Sequence, residues 1–581
     1  MTSGSHSAVA FNAHVARAWS RRAVAQLKQE REAIDDLNVF PVPDGDTGTN
    51  LFFTLRSANA AVDRLPASAS LPDVIGAMAT GALRGARGNS GLILSVALRG
   101  CADALETIEV ADSNSLARAL MLASSRARRA VADPVEGTML TVLAAIAEEA
   151  QAQAEAGASI PEMLTHCRTV GASALQATTE QLEVLAEADV VDAGATGIIE
   201  LLSALCEVAG GEPRLTGTGS ALGGSTGSGP STSNQHPRPA SSNQRGSNRH
   251  PRPAHPASGT APNRPGVEVV ARVEGGSPAD TLSQGLSALG GDSLVISEEP
   301  SRFRERTSFI VHVHLPDDLS ARAAVGLFAE VADVMELRVE PLVEGGHGRG
   351  AIDAEGGFGP LMIALARGAG LMYTFAAAGA EVLSLDVKAD ELAASLWDVI
   401  DGNAGRPMIL LPNNSIAMGL ARDVEARMTS QQQGAETELA VIPARGHVQG
   451  LAAAAVFDPA AGFRQLTASM TAAAAGTRQA AVFIAEHPGN SAAGAWREGD
   501  ALARINGSIR AIDPDPGELS WRLVERLLGA GGEIITLVPG AHCPAALISS
   551  LRERLEREYP DLDVSVIDGK QETALLLVGV E

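Results

Sequence analysis

Apolar residues recur every three to four positions through most of the first 209 residues, and then the period changes. The segment "SIPEMLTHCRTVGASALQAT" opens with Ser159 and Glu162 at capping-box spacing and has Pro161 in its first turn. It then sets Met163, Leu164, Cys167, Val170, Ala174 and Leu175 along one stripe. Similar stripes cover 11–27, 116–131 and 139–150, so residues 1–209 predict an all-helical domain of several antiparallel helices. From 210 to 265 periodicity vanishes. Gly, Ser, Pro and Asn dominate, and "SNQHPRPA" returns as "SNRHPRPA", which predicts a disordered linker. Beyond it the period falls to two. "VEVVARVE" and "SFIVHVHL" read as strands between helical stretches, a small α/β middle domain over 266–345. A Gly-rich joint then leads into a larger α/β domain over 346–581. There "PMILLPNN", "AVIPARG", "AVFIAEHP", "EIITLVPG" and "LDVSVIDG" read as buried strands between helices.

Composition narrows the partners. The 581 residues carry a formal charge of −24, which repels nucleic acid and anionic lipid. With 45% hydrophobic but only 3% aromatic residues, the interior must be built from Ala, Val, Leu and Ile. Cys101, Cys167, Cys206 and Cys543 are scattered with no CxxC, as reduced thiols of a cytoplasmic protein would be. No segment reaches the ~18 apolar residues of a membrane span, and the start of the chain does not read as a signal peptide.

Chemistry concentrates in "NVFPVPDGDTGTN", residues 38–50. In an extended segment Asp44 and Asp46, separated by Gly45, would face one side, and two carboxylates on one side call for a cation. Mg²⁺ suits hard oxygen ligands and takes the rest of its shell from water and phosphates. Thr47, Gly48, Thr49 and Asn50 follow at an expected helix start, where free N–H groups attract phosphate. A second loop, "RGARGNSG", sets Asn89 and Ser90 among glycines ahead of another apolar helix. An Asp-Gly turn with a helix cap, and a helix–helix turn loosened by glycine, would give either pattern alone. Together the two loops point to a metal–nucleotide site between helix ends.

"LNVFPVPDGDTGTNL", "GARGNSGLILS", "PVEGTMLTV" and "DAGATGIIELL" occur in that order across residues 1–205. They resemble the nucleotide-binding L-subunit domain of dihydroxyacetone kinases and, more closely, the ATP-binding subunit of bacterial fatty acid kinase. The resemblance implies an antiparallel helical barrel whose loops hold ATP through two Mg²⁺ ions. Asp44 and Asp46 would be metal ligands, and the third ligand of the dihydroxyacetone kinases falls on Asn38, which is neutral. Thr47 to Asn50 and the Asn89–Ser90–Gly91 turn would line the phosphates. Thr138, Met139, Asp192 and Gly194 would border base and ribose. In many relatives the middle domain resembles a zinc site of one Cys and two His. Here that set falls on Glu268, His312 and His314, which can bind zinc, though histidines on the solvent face of an edge strand would look the same. "EVLSLDVKADEL" departs from the relatives' Gln-Thr-Met-Asn-Pro-type loop.

The activity implied is transfer of the ATP γ-phosphoryl group to a fatty acid carboxylate, giving an acyl phosphate for phospholipid synthesis. A fatty-acid-binding partner protein would present the acid; the C-terminal domain is the candidate docking surface, and "LPNN" (411–414) and "HVQG" (447–450) at its strand ends could form part of it, though loop capping and turn chemistry would give the same pattern. Relatives resemble homodimers. A carboxylate is already a nucleophile at neutral pH, so phosphate charge neutralisation and alignment are what the protein must supply. Two other readings fit: a kinase of a small hydroxylated metabolite of the glycerone type, and an ATP-binding scaffold without turnover.

Overall fold

Nine helices carry most of the described residues before 210: α1 (Ala13–Asp35), α2 (Thr47–Asp63), α3 (Leu71–Arg84), α4 (Gly88–Ala104), α5 (Ser113–Ala130), α6 (Met139–Glu155), α7 (Ile160–Gln181), α8 (Glu183–Ala188) and α9 (Ala193–Val208). The computed structural model describes residues 10–41, 43–210, 266–275, 279–300, 307–342, 359–403, 405–431 and 438–581. The stretch expected to be a disordered linker lies, from 211 to 265, outside the described residues. The capping box of α7 is formed by Ser159 and Glu162, and Met163, Leu164, Cys167 and Leu175 are buried as their spacing requires. Each long helix packs on the next in sequence, and α9 returns to pack on α1, α6 and α7. Small residues make this possible: Ala16, Ala23, Ala58, Ala117 and Ala204 are fully buried where helices meet. A short antiparallel pair, β1 (Phe11–Asn12) with β2 (Val110–Ala111), joins the start of the chain to the segment before α5. The interior retains an apolar cavity of about 80 Å³ bordered by Trp19, Leu98, Leu143 and Leu202, too small for a long acyl chain.

From residue 267 the chain forms β3 (Val267–Gly275), α10 (Ala279–Ala288), β4 (Asp292–Pro300), β5 (Thr307–Leu315), α11 (Asp318–Val331) and β6 (Asp333–Pro341). This is a split βαβ unit with the four strands in the order β6-β3-β5-β4, all antiparallel. Next come β7 (Leu361–Ala366), α12 (Ala369–Ala377), β8 (Ala380–Ser384), α13 (Ala389–Gly402), β9 (Met408–Leu411), α14 (Ala417–Gln431) and β10 (Leu439–Val441). These strands are mutually parallel, and β8 pairs with β6, so one eight-stranded sheet runs β10-β9-β7-β8-β6-β3-β5-β4. The sheet thus continues across the boundary expected at 345/346. Its seam is narrow: only Glu336↔Leu383 and Leu337↔Val382 are in register between β6 and β8. The last part of the chain builds a second, six-stranded sheet. Its order is Ser508–Asp513, Ala501–Ile505, Arg478–Ile484, Leu576–Val580, Ile534–Pro539 and Asp563–Val566. Among the described residues no helix is long and apolar enough to cross a membrane.

Strand alternation decides what faces the helices of the first part. On β3, Val267, Val269, Ala271 and Val273 join the core under α10 and α11, so Glu268, Val270 and Arg272 point to the other face. Register lines up their neighbours in rows across the sheet: Asp292, His314, Glu268 and Glu340; then Val295, His312, Val270 and Arg338; then Ser297, Ile310, Arg272 and Glu336. In a free-standing unit this face would meet water. Here it lies against the helical part. Val295 and Ile310, with Val270 beside them, pack on Leu83, Ala86, Leu92, Val96 and Ala130, each buried Val, Leu or Ile side chain contributing about 1.5–3 kcal/mol. The contact is completed by a bridge between Val131 and Val295, an Ala132 N–H to Leu294 carbonyl bond of 3.1 Å, and an Arg338 guanidinium donating to the Ala86 carbonyl at 2.8 Å.

Candidate functional site

The loop between α1 and α2 turns rather than extends. Gly45 has φ +68, in the left-handed region that glycine enters without strain, so the segment is not extended as assumed for Asp44 and Asp46. The turn brings the half-buried Asp44 and Asp46 carboxyls into hydrogen-bonding contact with each other. Burial, then the neighbouring charges of Asp44 and Glu268, push Asp46 up to about 9. Burial also raises Asp44, against hydrogen bonds from Asp46 and Asn38. Two carboxyls pressed together and desolvated are the donor set a hard divalent cation requires, so the residues fit Mg²⁺.

Asn38 is buried and spans the loop. Its amide donates to Asp44 at 2.5 Å, and its side-chain carbonyl accepts from the Thr47 hydroxyl. It holds the aspartate by a hydrogen bond, a different relation from the metal ligand implied by resemblance. Asp46 occupies the N-cap of α2 without capping it through its side chain. Asp35, at the end of α1, does that work by accepting from the Thr49 N–H at 2.9 Å and the Thr49 hydroxyl at 2.7 Å. Gly48 lets α2 approach α1 so closely, since a Cβ there would stand 2.4 Å from the Arg31 carbonyl oxygen.

Beside this loop lies a cavity of about 210 Å³. It is lined by Thr47, Asn89, Ser90, Thr138, Met139, Asp192 and Gly194, seven of the positions proposed from sequence for nucleotide, drawn from four separate segments. The Asn89 side-chain oxygen is buried with no hydrogen-bond partner among the described residues, as a ligand-contacting atom would be in the absence of its ligand. Thr138 and Asp192 also cap α6 and α9. Burial pushes Asp192 up to about 6, against hydrogen bonds from the backbones of Ala195 and Met139. Sequence reasoning missed the opposite wall, where Ser293 and Val295 of β4 close the cavity. Ser293 sits at φ +53, where the β4–β5 register shifts. The remaining positions divide. Thr49 and Asn50 line a second cavity with Asp46, whereas Gly48 and Gly91 are close-packing positions, a Cβ at 91 falling 2.3 Å from the Thr54 hydroxyl.

Glu268, His312 and His314 do come together, since their possible ligand atoms lie within 4.8 Å of one another. The two imidazole Nε2 atoms are 3.1 Å apart, while the Glu268 carboxylate addresses the other nitrogen of His312, Nδ1, at 3.2 Å. His314 Nδ1 stands 3.7 Å from Asp292. One ligand atom from each of the three thus lies within reach of a common point, so the set expected from sequence is brought together as a group that could hold a metal ion. Burial lowers both histidines, reinforced for His312 by His314 and Arg338, so both imidazoles are neutral near pH 7.

In "LPNN" Asn413 takes φ +54 and donates to the Leu365 carbonyl at 3.1 Å, and Asn414 accepts from the Ile416 N–H at the start of α14. In "HVQG" His447 accepts from the Arg367 N–H at 3.2 Å, and burial pushes it down to about 4. Both segments hold loops in place.

Residues 41–207 match the family model of the DAK2 domain, and residues 361–581 match that of the FakA-like C-terminal domain of fatty acid kinases. The chain is 27% identical over 578 residues to Protein YloV of Bacillus subtilis (strain 168), covering 96% of each chain. It is 26% identical over 573 residues to the uncharacterized protein SSP1546 of Staphylococcus saprophyticus, again covering 96% of each. Among solved structures it is similar to the dihydroxyacetone kinase of C. freundii in complex with AMP-PNP and Mg²⁺ (21% identity, 36% of each chain, TM-score 0.27). It is also similar to the Streptococcus pneumoniae fatty acid kinase B3 protein loaded with linoleic acid (10% identity, 38% of this chain and 99% of that one, TM-score 0.25).

Proposed function

We propose, for a chain that joins a DAK2 domain to a FakA-like C-terminal domain, the role of the ATP- and Mg²⁺-dependent component of a fatty acid kinase. It would convert fatty acid carboxylates, presented by a separate fatty-acid-binding protein, to acyl phosphates. The observation that carries this reading is the convergence of Thr47, Asn89, Ser90, Thr138, Met139, Asp192 and Gly194 on one cavity, directly beside the paired carboxyls of Asp44 and Asp46.

Each group has a task. Asp44 and Asp46 would hold Mg²⁺, which when bound neutralises phosphate oxygens, and Asn38 fixes Asp44 for it. At the start of α2 the Gly48 and Thr49 N–H groups are taken by Asp35, so the N–H groups at the start of α4, where no side chain caps the helix, are the ones we assign to phosphate. Met139 and the β4 edge enclose the rest of the nucleotide and exclude water. The carboxylate acceptor arrives ionised, so no general base is required. The C-terminal sheets are the surface we assign to the acid-carrying partner.

The test is turnover by the full chain with an oleate-loaded partner co-purified from native extract, with acyl phosphate followed by ³¹P NMR. Asp44→Ala should lower turnover by on the order of 10²-fold or more and abolish Mg²⁺-dependent ATP uptake in calorimetry. Unchanged ATP affinity in that variant would overturn the reading.

A further inference from the structure

The metal loop has a cavity on each side. On the side away from the nucleotide cavity, a chamber of about 100 Å³ is bounded by Gly45, Asp46, Thr49 and Asn50 from the helical part and by strand residues of the eight-stranded sheet. Three guanidiniums line it, those of Arg87, Arg338 and Arg406, interleaved with the carboxyls of Glu268, Glu340 and Glu381. Arg338 and Arg406 are fixed from behind. Arg338 donates to the Ala86 carbonyl, and Arg406 donates to the Gly359 carbonyl at 2.7 Å. Arg87 lies over the Phe53 ring, 5.0 Å from its centroid. The exposed Pro341 and Ala377 mark the mouth.

We infer that this chamber is the acceptor site and takes the carboxylate head of a fatty acid; the inference rests on the kinase reading above. Position supports it, because Asp46 borders the chamber while Thr47, the next residue, lines the nucleotide cavity. A donor phosphoryl group at the loop could therefore be approached from the opposite side. Charge supports it as well. Guanidiniums select an anion and can grip a carboxylate bidentately, but the carboxyls of Asp46, Glu268, Glu340 and Glu381 among them favour a monoanion over a dianion. The same balance would help expel an acyl phosphate. Size sets the depth of entry, since the chamber holds on the order of three water volumes, enough for a carboxylate and its first methylenes. The rest of the chain must stay outside, in the protein that presents it. In the transfer, a carboxylate oxygen forms the new bond to the γ-phosphorus as the bond from that phosphorus to the β–γ bridging oxygen breaks. ADP leaves with the electron pair, and no proton moves.

Octanoate and octyl phosphate, titrated into the full chain with and without Mg²⁺ and a non-hydrolysable ATP analogue, test the assignment. Octanoate should bind more tightly than octyl phosphate. Arg338→Gln should weaken octanoate by about tenfold. Ala377→Trp, at the mouth and remote from the docking contacts, should do the same while nucleotide affinity stays within about twofold. No octanoate uptake by the wild type, or equal uptake by wild type and Ala377→Trp, overturns the chamber. Octanoate is read in both nucleotide states, so a failure of Mg-ATP to bind counts against the kinase reading alone.

Discussion

Asp46 stands where two demands conflict. A carboxyl whose value rises from 3.8 to about 9 on folding, chiefly through burial and then through Asp44 and Glu268, favours the folded state only while protonated. In metal-free protein that stability is fully present below about pH 4 and is lost as pH climbs toward 9. A bound divalent cation reverses the preference, because it stabilises the ionised form. Asp46→Asn should therefore raise the metal-free melting temperature at pH 8, by about 2–4 °C for each kcal/mol recovered, and flatten its pH dependence while eliminating Mg-ATP uptake. Melts from pH 5 to 9, with and without Mg²⁺, decide the matter; parallel curves for wild type and variant would refute this account. The two aspartates were legible in the sequence because a short acidic, glycine-rich loop stands out between apolar helices. Asp35 was not. It belongs to the last turn of a regular helix, and nothing local marks it as the cap of the next one, a role created by α1 and α2 packing side by side.

Elements were read best where a single period governed them. The strands "VEVVARVE" and "SFIVHVHL" and the α7 capping box appear where spacing put them, and so do the two histidines sharing one face. What period cannot reveal is what a strand's polar face touches. Glu268, Arg272, His312 and Arg338 look like the solvent side of a sheet, yet that side covers the helical part and supplies a wall to each cavity. Likewise, the seam between β6 and β8 rests on two residue pairs far apart in sequence, too little to leave a local signal. The docked face makes a direct prediction. Ile310 is nearly buried against α4, and large-to-small changes at such sites cost about 2–5 kcal/mol. In Ile310→Ala that cost should fall on docking. Amide exchange at the start of α4 and along β4 should quicken by about tenfold or more, since every 1.4 kcal/mol is a factor of ten. Exchange in the six-stranded sheet should stay unchanged. Slow exchange in α4 and β4 of the variant would mean the sheet face is not held by this contact.

At the scale of the molecule, the cavity proposed for nucleotide is assembled from parts distant in sequence, the helix ends and the β4 edge. The contact beside it combines an apolar patch with the ion pairs Arg84–Asp398 and Arg64–Asp401, which tie α3 and the end of α2 to α13. Partly exposed ion pairs contribute only about 0–1 kcal/mol each, so the patch and any bound ligand must carry most of the association. Ligand that binds the assembled form stabilises it by about 2.7 kcal/mol at a hundred times its Kd. That energy is shared by every element whose separation would destroy the site. Calorimetric melts of the full chain should therefore show Mg-ATP moving the transitions of the helical part and the four-stranded portion of the large sheet upward together. The transition of the six-stranded sheet, which contributes no residue to the cavity, should stay in place. If Mg-ATP raised the helical transition alone, β4 would be a bystander and the nucleotide would be held by the helix ends only. Joint movement would mean that nucleotide binding itself draws the sheet onto the helices, and with it the arginine-lined chamber onto the metal loop.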